Sequence, residues 1–398
     1  MEEIQQTALA LLRKALFNRP LQADPETDWQ AVCRELSLHA VACLPGGMLA
    51  ELPGLDDASR QRWSVAVVMN MRRFYGILQA QSALLTLLQE AGIRSVVIKG
   101  TAAAMYYPNP DYRSMGDVDL LVEEGRADEA MQLMLANGYA LSEPLDHNPR
   151  HYSLNRDGVE FEIHKSFAKQ KDGGLDALLF EGINKAETAC IAGFEFPVLP
   201  RLQNGLVLLT HAYQHLQEGV GLRHVSDWMM YAAAELDDLL WHGSFRKTAA
   251  QIGLERFAVV LTAMAQRYLG LSLQDRTWCR AADEESCESL LAFVLANGDF
   301  GVKYGEKRIA AREWMDVGNL RQLFGKLQEG GLRNHRRLFD SLPFLKPFAW
   351  LFRIFRLLFV SMKRGLGIRE VLSSYDESRD RIVLFRRLGL RTVYEEKH

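Results

Sequence analysis

The sequence predicts an α+β protein, with a small mixed β-sheet core flanked by N-terminal helices and a large helical C-terminal region. Three observations carry that prediction. Apolar residues recur at helical spacing from the N-terminus to Glu90. Between residues 93 and 200, short apolar or alternating runs sit between Gly- and Pro-bearing turns, as strands do. From Leu202 onward the helical spacing returns and persists. On this pattern the chain divides into an N-terminal helical segment (1–56), a sheet-bearing domain (57–200), a helical domain (201–334) and a basic, aromatic helical region (335–398). A length of 398 residues allows one to three domains, and 48% hydrophobic with 24% charged residues suits a folded chain with a large core.

Leu9, Leu11, Leu12, Ala15 and Leu16 mark a first helix. Trp29, Val32, Leu36 and Ala40 mark a second, after a break between Pro20 and Pro25. Residues 57–90 form one long helical pattern through Trp63, Val67, Phe74 and Leu78, with Ser59 as the expected N-cap and Ala91-Gly92 as the stop. These stripes are core packing. A strand over 93–98 leads to Lys99-Gly100, a short helix over 101–107 and a Pro-punctuated loop. A second strand covers 117–122, a helix covers 123–137 and ends at Gly138, and 139–141 is a short strand. Residues 151–155 and 159–164 pair across Arg156-Asp157-Gly158, with Gly in the favoured turn position. Residues 185–200 alternate around a Gly turn and predict a further hairpin. A helix follows over 202–217, then several more over 244–330, broken near Gly253, Gly270 and Gly298-Asp299.

Chemistry concentrates in residues 99–122, KGTAAAMYYPNPDYRSMGDVDLLV. Alternate strand residues share a face, so Val118, Leu120 and Val122 turn to the core. Asp117 and Asp119 share the other face, about 6–7 Å apart at Cα. Two carboxylates so close repel, and one resists ionisation. A divalent cation removes the problem, and oxygen ligands on a rigid strand suit Mg²⁺ or Mn²⁺. Alone, Asp-x-Asp also fits a solvated strand end or a turn. Its neighbours change the balance. Gly100 lets a phosphate approach the backbone, and a helix start presents free N–H groups to an anion. Arg113 adds a cation four residues before Asp117. In VEFEIH, Val159, Phe161 and Ile163 alternate with Glu160, Glu162 and His164. Alone, that is an amphipathic edge strand facing water. Beside the Asp pair it supplies a third carboxylate, as metal-assisted phosphoryl-type transfer requires.

With these residues in view, the segment resembles the nucleotidyltransferase superfamily with a DNA polymerase β-like core. More closely, it resembles an uncharacterised bacterial nucleotidyltransferase family carrying KG, YP-x-P-x-x-R and D-x-D-L-L-V. Lys99, Gly100, Tyr107, Pro108, Pro110, Arg113, Asp117, Asp119, Leu120, Leu121 and Val122 match that pattern. The wider superfamily has Gly-Ser where this chain has Lys99-Gly100. The resemblance implies Mg²⁺- or Mn²⁺-dependent transfer of a nucleoside monophosphate from an NTP donor to the hydroxyl of a sugar, peptide, protein or other alcohol, with pyrophosphate leaving. It implies Asp117 and Asp119 as metal ligands. It also places an acid two residues before a His, which maps onto Glu162 and His164. Glu162 is then the third acid, activating the acceptor hydroxyl. His164 either orients that group or is structural. Lys99, the Gly100 backbone, Arg113, His164 and Arg223 form the expected nucleotide-binding set. An alternative from another class is a degenerate transferase fold that binds a nucleotide or partner and catalyses nothing. The three acids count against it, and the missing Gly-Ser keeps it open.

In the helical half, His211 and His215 stand four apart on one face and could bind a metal. The Glu of a zinc-protease motif is absent, because Ala212 follows the first His, so zinc is disfavoured against core packing or a pair beside the cleft. Arg223 and Asp227 are also four apart; they pair along a helix, or Arg223 reaches a phosphate. Residues 335–364 are rich in Phe, Leu, Arg and Lys, but Lys346, Arg353 and Arg356 interrupt any spanning run. This is a helix packed with its basic residues outward, or one lying on a membrane surface. The last thirty residues are Arg-rich and expected to be partly helical. A net charge of −3 argues against broad nucleic-acid binding. Five scattered cysteines and an N-terminus without signal-peptide layout are expected of a cytoplasmic protein, in peripheral contact with the inner membrane face if the basic segment binds lipid.

Overall fold

Seven strands form one mixed sheet, and its centre carries the Asp-x-Asp run. The structure is a computed structural model and describes residues 1–145, 147–168, 174–216, 219–273, 276–304, 320–363 and 381–390. In chain order the strands are β1 (Ser95–Val97), β2 (Asp117–Val122), β3 (Ala140–Leu141), β4 (His151–Arg156), β5 (Val159–His164), β6 (Glu187–Ile191) and β7 (Phe194–Val198). Their spatial order is β3-β4-β5-β2-β1-β7-β6. β2 pairs antiparallel with β1 and parallel with β5, and β1 pairs parallel with β7. The remaining neighbours are antiparallel.

The chain divides into two compact units, Met1–Phe300 and Gly301–His398. In the first, helices α1 (Glu3–Phe17), α2 (Trp29–Leu38) and α3 (Asp57–Glu90) precede the sheet. The N-cap of α3 is Asp56, whose side chain accepts the Ser59 N–H at 2.9 Å. The expected Ser59 cap is therefore corrected by three residues; Ser59 supplies the capped N–H. Phe74, Ile77, Leu78, Leu84 and Leu88 of α3 share one buried cluster with Val118, Leu120 and Val122 of β2 and Phe161 and Ile163 of β5. Residue pairs two apart thus bury one face of the sheet, and Asp117 and Asp119 fall on the other.

Helix α4 (Gly100–Ala104) follows β1, and α5 (Ala127–Ala136) follows β2. The β4–β5 turn has Asp157 at φ 54° and Gly158 at φ 77°. Two positive φ values in succession define the tight turn that matches strand twist, and Asp-Gly is a favoured pair for it. That turn makes β5 an interior strand between β4 and β2, not the solvent-facing edge that VEFEIH suggests in isolation. After β5 come α6 (Leu175–Ile183), the β6–β7 hairpin, α7 (Arg201–Leu216) and α8 (Leu222–Ala234). Gly205 lets α7 and α8 approach: a Cβ there would stand 2.2 Å from the Tyr231 ring. Helices α9 (Asp238–Leu240), α10 (Arg246–Gln251), α11 (Glu255–Tyr268) and α12 (Glu284–Asn297) complete this unit.

In the second unit, helices Leu320–Asn334 and Ala349–Lys363 pack where Gly330 and Gly331 remove side chains. A Cβ on Gly330 would stand 3.1 Å from Arg353 Nε. Arg353 is accordingly buried, while Phe355 and Phe359 are exposed. Of the basic residues that interrupt the run, Lys346 and Arg356 are exposed, and Arg353 departs from the outward expectation because Gly330 leaves room for its stem. No helix among the described residues is long and apolar enough to cross a membrane. Of the last thirty residues, 381–387 are helical; 369–380 and 391–398 lie outside the described residues.

Candidate active site

The parallel pairing of β2 with β5 sets Asp119 directly beside Glu162 and Asp117 beside Glu160. Asp117, Asp119 and Glu162 each offer a carboxylate oxygen, and the three oxygens lie within 4.8 Å of one another. Among the described residues none forms a hydrogen bond or ion pair with the Asp117 side chain, which lines a cavity of about 440 Å³. Glu160 points its carboxylate to Asn155 Nδ2 at 3.4 Å, outside that cavity.

Lys99 joins this group from the turn after β1. Its φ is 57° with ψ −133°, a backbone state that L side chains seldom adopt, costing about 1–3 kcal/mol. The turn carries Nζ to 2.5 Å from Asp119 Oδ1 and 3.5 Å from Glu162 Oε2. His164 Nε2 lies 3.0 Å from the same Asp119 oxygen and 3.2 Å from the same Glu162 oxygen. His151 Nε2 lies 3.4 Å from Glu162 Oε1. Two carboxylates therefore share one ammonium and one imidazole in a largely buried box.

Burial is the strongest influence on every member of the box. It raises Asp119 to about 6, with Lys99 pulling the other way and Asp117 and Glu162 adding to the rise. Glu162 moves downward, because the His164 hydrogen bond and the Lys99 charge outweigh its burial. For Lys99, the charges of Asp119, Glu162 and Asp117 overcome burial and raise the ammonium above its usual range. His164 is likewise raised, since its hydrogen bonds to Asp119 and Glu162 exceed the effects of burial and Lys99. His151 goes the other way, to about 4, because burial outweighs Glu162.

Arg113 has a partner within the protein. It is buried, and its fork grips Asp227 of α8, with Nε–Oδ1 and Nη2–Oδ2 both 2.7 Å. Tyr107 donates its hydroxyl to the same Asp227 at 2.7 Å. Two of its guanidinium nitrogens are thus held by the Asp227 carboxylate, while the residue also lines the cavity. The Arg223–Asp227 pairing along the helix is corrected. Arg223 Nε instead reaches Asp299 Oδ2 at 3.2 Å, and its guanidinium lies 5.6 Å from the Phe300 ring centre. Gly221 admits Asp299: a Cβ there would stand 2.8 Å from the Asp299 Cα.

Lys99, Gly100, Arg113, Asp117, Asp119, Glu162, His164 and Arg223 all line the one cavity. A Cβ on Gly100 would rest 3.7 Å from the Asp117 carbonyl, so the protein's own packing does not require glycine; its lack of side chain leaves the cavity open. Sequence reasoning missed His151, Gln214, Asp299 and Phe300, which also line it. His151 carried a signal, because the hairpin register sets it opposite His164. Asp299 and Phe300 carried none, because their approach depends on packing 76 residues away from Arg223.

No functionally curated protein matches the chain. Among solved structures, the chain is similar to the antibiotic-resistance factor ANT(2'')-Ia, at 14% identity and TM-score 0.31, covering 44% of this chain and 91% of that one. It is also similar to an antigenic nucleotidyltransferase-like protein from Paracoccidioides brasiliensis, at 15% identity and TM-score 0.31, covering 50% and 93%. A family model described as uncharacterised nucleotidyltransferase matches residues 25–270, more than half of the sequence, and the chain belongs to that family.

Proposed function

We propose that the protein transfers a nucleoside monophosphate from an NTP to an acceptor hydroxyl with the help of a divalent cation. One observation carries this reading: three carboxylates from two paired strands, with oxygens within 4.8 Å, at the wall of a cavity that also presents Lys99 and Arg223. The donor set fits a hard cation, since all three ligands are oxygens and Asp117 has no other partner among the described residues. Asp117, Asp119 and Glu162 would hold Mg²⁺ or Mn²⁺, which supplies charge neutralisation for the triphosphate and the departing pyrophosphate. Lys99 and Arg223 bind and orient phosphate oxygens. His164 holds the Asp119 and Glu162 carboxylates in register. Glu162 accepts the proton of the acceptor hydroxyl at its carboxylate as the acceptor oxygen bonds to the α-phosphorus. The bond from that phosphorus to the bridging oxygen breaks, and pyrophosphate leaves with the electron pair. Chemistry of this kind is mostly positioning and charge stabilisation, which a site of acids and cations without a protein nucleophile supports.

Thermal melting with each of the four NTPs, with and without Mg²⁺, tests the reading. A ligand at 100 times its Kd adds about 2.7 kcal/mol. The expected result is a Mg²⁺-dependent rise for one NTP, lost in Asp119→Asn, followed by Mg²⁺-dependent pyrophosphate release. A second reading, a nucleotide- or partner-binding module without catalysis, draws on Lys99 Nζ standing 2.5 Å from Asp119 as a built-in counter-ion. It predicts nucleotide binding that survives Mg²⁺ removal and no pyrophosphate release.

A further inference from the structure

α7 and α8 bring three histidines together, two of which, His211 and His215, line the same cavity as the carboxylates. His211 and His215 share one face of α7, and His224 meets them from the first turns of α8. One ring nitrogen from each lies within 4.8 Å of the others. We propose that His211, His215 and His224 bind a divalent transition-metal ion of the zinc class, at a site separate from the three carboxylates.

The nitrogen positions are the first argument. Nε2 of His211 and Nε2 of His215 are 2.9 Å apart. Two imidazole nitrogens bound to one ion at about 2.0–2.1 Å stand roughly 2.9–3.4 Å apart, depending on the angle at the metal. His224 is the second argument. It is 1% exposed, and neither of its ring nitrogens has a hydrogen-bond partner among the described residues. A buried polar atom left so costs about 1–3 kcal/mol. Its Nδ1 lies 3.2 Å from Asp299 Oδ1. That contact is at ion-pair distance without hydrogen-bond geometry, and a carboxylate beside one ring nitrogen is where a metal-binding histidine is oriented once its other nitrogen is ligated. Gly221 is what lets Asp299 come so near the start of α8.

Protonation and ligand chemistry agree. Burial holds His211 well below the ordinary imidazole range and His215 at about 2, with neighbouring histidines adding to the effect. Burial and then Arg223 lower His224, against the pull of Asp299. Neutral imidazoles keep their lone pairs for a metal. Three nitrogen donors suit zinc-class ions, while three carboxylates suit Mg²⁺, so donor type sorts the two cations between the two sites. His211 and His215 line the cavity itself, so an ion held by them would border it. Three protein ligands with one open position is the layout of a working zinc site, whereas a structural one is closed by four.

Metal binding tests this without nucleotide, so its outcome is independent of the transferase reading. The full-length chain, stripped with a chelator, is titrated with Zn²⁺ against a chromophoric competitor and separately with Co²⁺. The expected result is one tight equivalent of Zn²⁺ and visible Co²⁺ absorption that Zn²⁺ displaces. Both persist in the Asp117→Asn, Asp119→Asn double variant and vanish in His215→Ala and in His224→Ala. Asp299→Asn weakens Zn²⁺ roughly 10–100-fold. Metal-free melting of each variant reports whether it folds. The wild-type Co²⁺ spectrum needs no variant: absence of d–d absorption and of tight Zn²⁺ overturns the proposal. Binding that survives both His variants, or that is lost in folded Asp117→Asn, Asp119→Asn protein, overturns it equally.

Discussion

Arg113 and Asp227, 114 residues apart in the chain, form a two-pronged buried ion pair with both contacts at 2.7 Å. The pair ties the loop before β2 to α8, the helix that carries Arg223 and His224. Breaking a buried pair on one side leaves an uncompensated charge, at about 3–5 kcal/mol. Arg113→Met and Asp227→Leu should each lower the unfolding free energy measured in urea by that order. The double variant should recover part of the loss, because no lone charge remains. Equal and additive losses would show that the two residues act independently.

Lys99 sets a second test. Lys99→Met leaves Asp119 and Glu162 facing each other without their ammonium. The variant should be destabilised at neutral pH, and the deficit should shrink as pH falls, since protonating either carboxylate relieves the repulsion. Millimolar Mg²⁺ should restore stability at neutral pH by replacing the lost charge. Melting curves across pH, with and without Mg²⁺, decide it. A deficit indifferent to both would mean that Lys99 acts through its backbone conformation alone.

The reach of the sequence follows from the range of each interaction. Asp117 and Asp119 share a face because strands repeat every two residues, so their placement was readable locally. Glu162 was readable because a tight Asp-Gly turn fixes the hairpin and the apolar alternation fixes which residues turn inward. The partners of Arg113 and Arg223 were not. Both had an acid at a plausible local spacing, and each chose a distant one because α8 packs against the loop and against Asp299. The histidines show the same limit. The i, i+4 pair was visible on one helix, while His224 joins it only through the α7–α8 contact made possible by Gly205.

Those histidines predict an acid sensitivity. A group whose folded value is depressed stabilises the protein above its unfolded value, and that contribution is lost as pH falls toward the folded one. For His215 the window opens at 6.5 and runs down toward about 2; for His151 it runs from 6.5 to about 4. His211 and His224 act in the same direction. His164 and Asp119, raised instead, oppose them: each contribution is present below the ordinary value, 6.5 or 3.8, and lost as pH rises through the folded one, which is about 6 for Asp119. In chelator, stability should fall between pH 7 and 5, by up to about 1.4 kcal/mol per pH unit for each histidine held neutral. Urea titrations of wild type and His215→Phe should differ in slope, with the variant less pH-sensitive. Parallel slopes would place His215 in contact with water.

Gly205 gives the last prediction, because two effects there have opposite signs. Alanine in a helix interior normally gains about 1 kcal/mol over glycine. At Gly205 the added Cβ would meet the Tyr231 ring at 2.2 Å, and Tyr231 is itself anchored by donating its hydroxyl to the Arg201 carbonyl at 2.8 Å. Overpacking of this kind costs about 1–3 kcal/mol, so the clash should win. Gly205→Ala should therefore lower the urea midpoint, and by moving α7 against α8 it should also weaken Zn²⁺ binding. Gly76→Ala in α3, where nothing stands within 4 Å of the added Cβ, is the matched control and should be stabilising. A stabilised Gly205→Ala would mean that the two helices do not cross at this residue, and the three histidines would lose the contact that gathers them.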